Sequence, residues 1–318
     1  MLSYILLLCV ALVNAYSDPG TCSGSCWAHD PNVIQRKSDG SFFRFSTGGG
    51  IHISSASTIE GPWTDLGYAL PGGSIVTVGD ASNLWAPDVH YVDGTYYMYY
   101  ASSALGSRNS TIGVASSTTL EVGSWTDHGE IGVTSSTSDD YNAIDPNWIT
   151  IGDASYLQFG SYWQGIFQVE MTDSLTSSGD SYTNLAYNAS GNHDIEAAFM
   201  FEYEDYYYLT YSSGTAQGYT TSLPAQGDEY RIVVCRSTTG TGDFVDQDGT
   251  ACTNSGGTTV LASHDYVYGP GGQGILDHPV YGLIVYYHYA DKDIGLAVDQ
   301  YQFGWNNLTW TDGWPVVA

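Results

Sequence analysis

Hydrophobic and polar positions along the chain form a couplet that is written five times. Each couplet opens with a short apolar run, usually led by an acid, continues through a polar turn, and ends in a strand rich in alternating aromatics. The first runs from Asp30 to Ile34, turns at Asp39-Gly40 and continues as Ser41-Phe42-Phe43-Arg44-Phe45-Ser46. The second runs from Asp88 to Val92, turns at Asp93-Gly94 and continues as Thr95-Tyr96-Tyr97-Met98-Tyr99-Tyr100. Asp-Gly between two such runs is a strong hairpin signal, because both residues tolerate the positive φ that a two-residue turn demands. The third and fourth couplets are Asp145 to Ile151 with Ser155 to Gly160, and Glu196 to Phe201 with Asp205 to Tyr211. The fifth, Gly274-Ile275-Leu276 with Gly282 to His288, is weaker.

Each couplet is followed by Ser, Thr and Gly-rich sequence with room for two outer strands. Repeats of roughly 50 to 60 residues fit four-stranded propeller blades, so the pattern predicts an all-β fold, a five-bladed β-propeller. The longest gap, 212–270, reads as outer strands of the fourth blade with an extended loop. No stretch reads as a linker, and residues 16–318 are expected to form a single domain. Composition agrees: aromatics are 14% of residues, Tyr numbers 27 and Gly 38, which favours short strands and tight turns over helices.

Two acids stand out within the couplets. His29-Asp30-Pro31-Asn32 and Ile144-Asp145-Pro146-Asn147 each place a carboxylate before Pro-Asn and an apolar run. Proline biases the preceding residue toward extended backbone, so both acids are expected at strand entrances in that conformation. Trp85-Ala86-Pro87-Asp88 lies about midway between them, and Ile195-Glu196-Ala197 follows. In a propeller the first strand of each blade lines the central channel, which would bring Asp30, Asp145 and Glu196 together. A strand-entrance acid can also simply cap a turn, and Asp88 is read that way. Carboxylates facing each other across a sugar-sized gap suit glycosidic bond cleavage, one as a proton donor and one activating water. A third nearby raises the donor's pKa by repulsion.

Charge narrows the partners. Lys and Arg total 7 against 34 Asp and Glu, a net charge of −27, which repels phosphate backbones and anionic membrane surfaces and argues against nucleic acid as a ligand. Residues 1–15 resemble a signal peptide: the run from Leu2 to Val13 ends in the small-residue pattern Val13-Asn14-Ala15, although no Lys or Arg precedes it. No later run is long enough to span a bilayer. Cleavage there would leave four cysteines in an exported chain, expected to pair locally as Cys22 with Cys26 and Cys235 with Cys252. Asn109, Asn188 and Asn307 head glycosylation sequons.

The four motifs around Asp30, Asp88, Asp145 and Glu196, taken in order, resemble those of glycoside hydrolase family 43, and within it the secreted fungal endo-1,5-α-L-arabinanases. The resemblance covers essentially the whole chain after residue 15. It implies a five-bladed propeller and a monomeric inverting hydrolase of arabinan, with Asp30 as general base, Glu196 as general acid and Asp145 tuning that acid. Spacing alone leaves Glu196 and Asp194 equally eligible; the motif selects Glu196. Inversion implies carboxyl groups about 6.5–9.5 Å apart, against about 5–5.5 Å for retention.

The resemblance further implies substrate contacts at Gly106, Asn142, Ser161, Tyr162 and Trp163, with Trp85 as another platform. It implies no organic cofactor, but a metal ion in the channel held by a histidine and waters, for which His288 is the match and His278 the weaker one. Calcium prefers oxygen ligands, so such an ion suits shaping the pocket better than activating water. Two other functions share the scaffold: an exo-acting α-L-arabinofuranosidase or β-xylosidase, and a non-catalytic sugar-binding propeller.

Overall fold

The computed structural model describes residues 16–177 and 181–318; the segment read as a signal peptide lies outside the described residues. Five antiparallel sheets follow one another along the chain, spanning 32–68, 84–135, 147–186, 195–261 and 267–317. Their innermost strands are Asn32–Gln35, Leu84–Val92, Asn147–Ile151, Ile195–Tyr203 and Val267–His278. These five touch one another in a closed ring, the first against both the second and the fifth. The architecture is the five-bladed β-propeller that the couplets predict.

The aromatic strands are explained by their position between blades. In the strand Thr95–Ser102, Tyr96, Met98 and Tyr100 pack with Phe43, Phe45 and Trp125 on one side. Tyr97 and Tyr99 pack on the other side with Leu157 and Phe159. Alternation here separates two hydrophobic cores instead of core from solvent, so both faces want large apolar side chains. The turn feeding this strand has Asp93 and Gly94 at φ 46° and 90°, as a two-residue hairpin loop requires.

Two features depart from a plain repeat. The third blade carries five strands, because Ile166–Asp173 pairs with both Thr176–Ser177 and Thr183–Ala186 at its outer edge. Ring closure uses a strap, residues 17–28, that no couplet announces. Its backbone bonds to blade 1 through Ser23 and Ser25 at Glu60 and Trp63, and to blade 5 through Gly20 at Trp305 and Cys26 at Phe303. Arg44, buried with its guanidinium over Trp63 and Phe303, donates to the carbonyls of Ser25 and Trp27 and fixes the strap. The two local disulfides form as expected, Cys22–Cys26 inside the strap and Cys235–Cys252 in blade 4.

Candidate active site

The sequence places Asp30 and Asp145 at strand entrances, and the structure puts them there, but not in extended backbone. Their φ values are 44° and 55°, in the left-handed region. Ala86, Ala197 and Gly272 share this conformation at 44°, 54° and 58°, one residue in each inner strand's opening turn. In blades 2, 4 and 5 this residue sits inside a register shift, between Trp85 and Asp88, Glu196 and Phe199, and Gly271 and Gly274. Such a bulge re-aims side chains out of the ladder and toward the channel, and that local geometry overrides the bias that proline imposes.

This frame corrects the apparent equivalence of the acids. Asp30 and Asp145 occupy the left-handed position itself; in blade 4 that position is Ala197, and Glu196 comes one residue earlier, where blades 1 and 2 carry His29 and Trp85. Asp88 comes two residues later, level with Asn32 and Asn147. The five left-handed residues all line the same central pocket, which is open to solvent.

The strained turns expose N–H groups that the ladders cannot use, and side chains take them up. Asp30 N–H donates to His288 Nδ1 (3.1 Å), Ala86 N–H to Thr47 Oγ1 (2.9 Å), Ala197 N–H to Asp145 Oδ2 (2.9 Å) and Gly272 N–H to Ser212 Oγ (3.0 Å). Satisfying buried donors and aiming carboxylates are thus one arrangement. Thr47 also donates to Asp30 Oδ2 at 2.8 Å. Gln273 bridges Ser212 and the Ala197 carbonyl at 2.7 Å each, locking blade 4 to blade 5. Glu196 accepts Ser161 Oγ at 2.7 Å on Oε2 and the Tyr230 hydroxyl at 3.0 Å on Oε1.

The three carboxyl groups sense one another. Burial raises Asp145 well above the ordinary aspartate value, and the charges of Glu196 and Asp30 add to it, against one opposing bond from Ala197. Burial also raises Glu196; Asp30 pushes the same way, while the bonds from Ser161 and Tyr230 oppose. Asp145 and Glu196 therefore bind a proton more readily than free carboxylates. Asp30 goes the other way: burial would raise it, but the charge of His29 and the Thr47 bond outweigh burial and hold it below its ordinary value. Its side chain keeps 23% exposure, so it is walled by protein yet reached by water.

The other expected residues divide. Ser161 reaches Glu196 directly. Tyr162 and Trp163, half-buried at φ 54° and 43°, form an edge-on pair, with Arg108 over the Trp163 ring at 5.2 Å. Arg108 also grips the carbonyls of Thr137 and Asp139, tying that aromatic pair to a neighbouring loop. Trp85 is half-buried beside the mouth, and Gly106 lies exposed in open space between the second and third strands of blade 2. Asn142 is buried, with Oδ1 taken by Ser110, and supports the segment leading to Asp145.

His278 does not belong to the site. It ends the inner strand of blade 5 remote from Gly272, stacked between Phe42 and Tyr281 and accepting the N–H groups of Val280 and Tyr281. Thr47, Ser212, Tyr230 and Gln273 contribute to the site without any motif to announce them.

His288 is buried, and burial lowers its pKa to about 3, so the ring is neutral. With Nδ1 accepting the Asp30 N–H, the ring proton sits on Nε2, a buried donor with no hydrogen-bond partner among the described residues. His29, Asp30 and His288 bring three potential ligand atoms within 4.8 Å of one another.

Comparison with known proteins places this geometry. The chain is 81% identical over 318 residues, all of both chains, to a probable arabinan endo-1,5-α-L-arabinosidase C of Aspergillus niger. Among solved structures it resembles an endo-arabinanase of Bacillus licheniformis, at 28% identity and a TM-score of 0.80, covering 93% of this chain and 99% of that one. An exo-1,5-α-L-arabinanase from a bovine ruminal metagenomic library matches with a TM-score of 0.80 at 27% identity, covering 92% and 96%. The profile of glycosyl hydrolases family 43 matches residues 24–315, and the protein belongs to that family of glycoside hydrolases.

Proposed function

We propose that the protein is a secreted endo-1,5-α-L-arabinanase that cleaves internal bonds of arabinan with inversion at the anomeric carbon. The observation carrying this reading is that Asp30 and Asp145 line one pocket and Glu196, the residue before Ala197 in that lining, acts by charge on Asp145 and feels Asp30, with pKa shifts of opposite sign. Glu196, raised, gives its proton to the departing glycosidic oxygen. Asp30, lowered and ionised, takes a proton from the water that attacks the opposite face of the sugar. Asp145, which feels the charge of Glu196 and anchors the turn at Ala197 beside it, tunes that acid. Activity then holds from below the usual aspartate pKa of the base to above the usual glutamate pKa of the acid.

Trp85, Tyr162 and Trp163 offer apolar faces for furanose rings, and Gly106 and Asn142 belong to the segments bordering the same mouth. A calcium ion, where bound, would be held by His288 and water, and Nε2 would serve as the ligand only in the other ring tautomer, at the cost of the bond from the Asp30 N–H. It would supply positive potential beside Asp30, favouring the ionised base. The two disulfides and the leader-like residues 1–15 support export, and because one chain supplies all three acids, a monomer suffices.

Product analysis on linear arabinan, with the anomer of the first product read by NMR, tests the reading. It predicts oligosaccharides of mixed length before free arabinose and an inverted anomer, with chelator lowering the rate. Arabinose released alone from the start would establish the exo-acting alternative.

A further inference from the structure

Tyr230 lies between the two halves of the site, and nothing in the motifs points to it. It sits at the end of the long 214–230 connection between the second and third strands of blade 4, and it is fully buried. Its hydroxyl donates to Glu196 Oε1 at 3.0 Å. Its ring lies nearly parallel to His288, with centroids 5.9 Å apart and planes at 21°, and His288 is sandwiched from its other side by Tyr301 at 5.2 Å and 13°. His288 in turn receives the Asp30 N–H. Nothing can replace this packing cheaply: a Cβ on Gly271 would fall 2.1 Å from the Tyr230 ring, and one on Gly272 2.6 Å from His288 Nδ1 and 2.7 Å from Asp30 Oδ1.

We propose that Tyr230 is a positioning residue that fixes acid and base relative to each other, gripping Glu196 with its hydroxyl while its ring sets the imidazole that carries Asp30. The inference rests on the proposed roles of Glu196 and Asp30 and goes beyond them. The hydroxyl bond matters most as the proton leaves, because a donor binds a carboxylate more strongly than a carboxylic acid. Tyr230 therefore supports the charge that forms on Glu196 in the transition state, and it contributes little to holding substrate beforehand. Burial keeps the phenol protonated, so it remains a donor throughout.

Tyr230→Phe keeps the ring and its stacking and removes only the hydroxyl. The expected result is kcat lower by about 10- to 100-fold, as for loss of a hydrogen bond to a charged group, with KM changed less than about twofold. The bond opposes the raised pKa of Glu196, so its loss moves the alkaline limb of the kcat profile to higher pH. A residue that merely packs would leave that limb in place. Thermal unfolding of the variant, close to that of the parent protein, shows that the fold survives.

Unchanged kcat, or a fall in kcat with an unmoved alkaline limb, overturns the proposal. Glu196→Gln, measured alongside, separates the two levels. If it is inactive while Tyr230→Phe behaves as the parent, the positioning role fails and the acid assignment stands. If Glu196→Gln retains full activity, the acid assignment itself fails.

Discussion

At the floor of the channel, Asp88 is 2% exposed and saturated with donors: Asn32 Nδ2 at 3.1 Å, Asn147 Nδ2 at 3.3 Å, the Trp148 N–H at 2.8 Å, and the His90 ring. Asn147 passes the link on to blade 4 through the Met200 N–H at 2.7 Å. At the mouth, two residues back along the same set of inner strands, Asp145 accepts one N–H and lies among two further carboxylates that repel it. The same element thus carries two polar layers with opposite bonding. A buried charge that is fully hydrogen-bonded ties blades together, whereas one left short of donors, among its own kind, stays ready to exchange a proton. Asp88 is a hub joining blades 1, 2 and 3; the mouth acids are the ones proposed for chemistry.

Substitutions that break each layer should separate activity from stability. The largest effect belongs to the mouth: Glu196→Gln should lower kcat by about 10² to 10⁴, the range supplied by a general acid, while the denaturation midpoint stays at or above that of the parent protein. Comparable loss of activity accompanied by unfolding would mean that the mouth layer is structural too. Asp88→Ala, at the floor, should do the reverse. It leaves the Asn147 amide and the Trp148 N–H buried without an acceptor and Asn32 with only the Tyr286 hydroxyl, which should cost about 3–5 kcal/mol in urea unfolding, with kcat per folded molecule reduced far less than by the loss of Glu196.

Much of this division was legible in the sequence, and what was not has a physical cause. The aromatic couplets gave five blades because both sides of each blade are core, a demand that writes itself into every repeat. The Asp-Pro-Asn motifs located Asp30 and Asp145 because a left-handed turn followed by an inner strand leaves a short local signature. The offset of Glu196 by one residue escaped spacing arguments, since Ala197 fills the left-handed position without looking special. Tyr230, Ser212 and Thr47 act only through contacts with distant segments, so no local pattern marks them. The strap that closes the ring is read by blades 1 and 5 largely through its backbone, so no periodic side-chain pattern marks it. The split outer edge of blade 3 lies far from the channel and follows no repeat.

The most direct test of the contrast between the layers is the pH dependence of unfolding of Asp145→Asn against the parent protein. Asp145 has a raised pKa in the folded chain, so its folded form is favoured while protonated, and stability is lost as pH rises through that folded value. The account predicts that Asp145→Asn, whose amide can still accept the Ala197 N–H, is more stable than the parent at pH 7, with the gain vanishing once pH falls below the ordinary aspartate range. An Asn variant that is less stable than the parent at pH 7 would contradict it, because Asp145 would then be a compensated structural charge like Asp88.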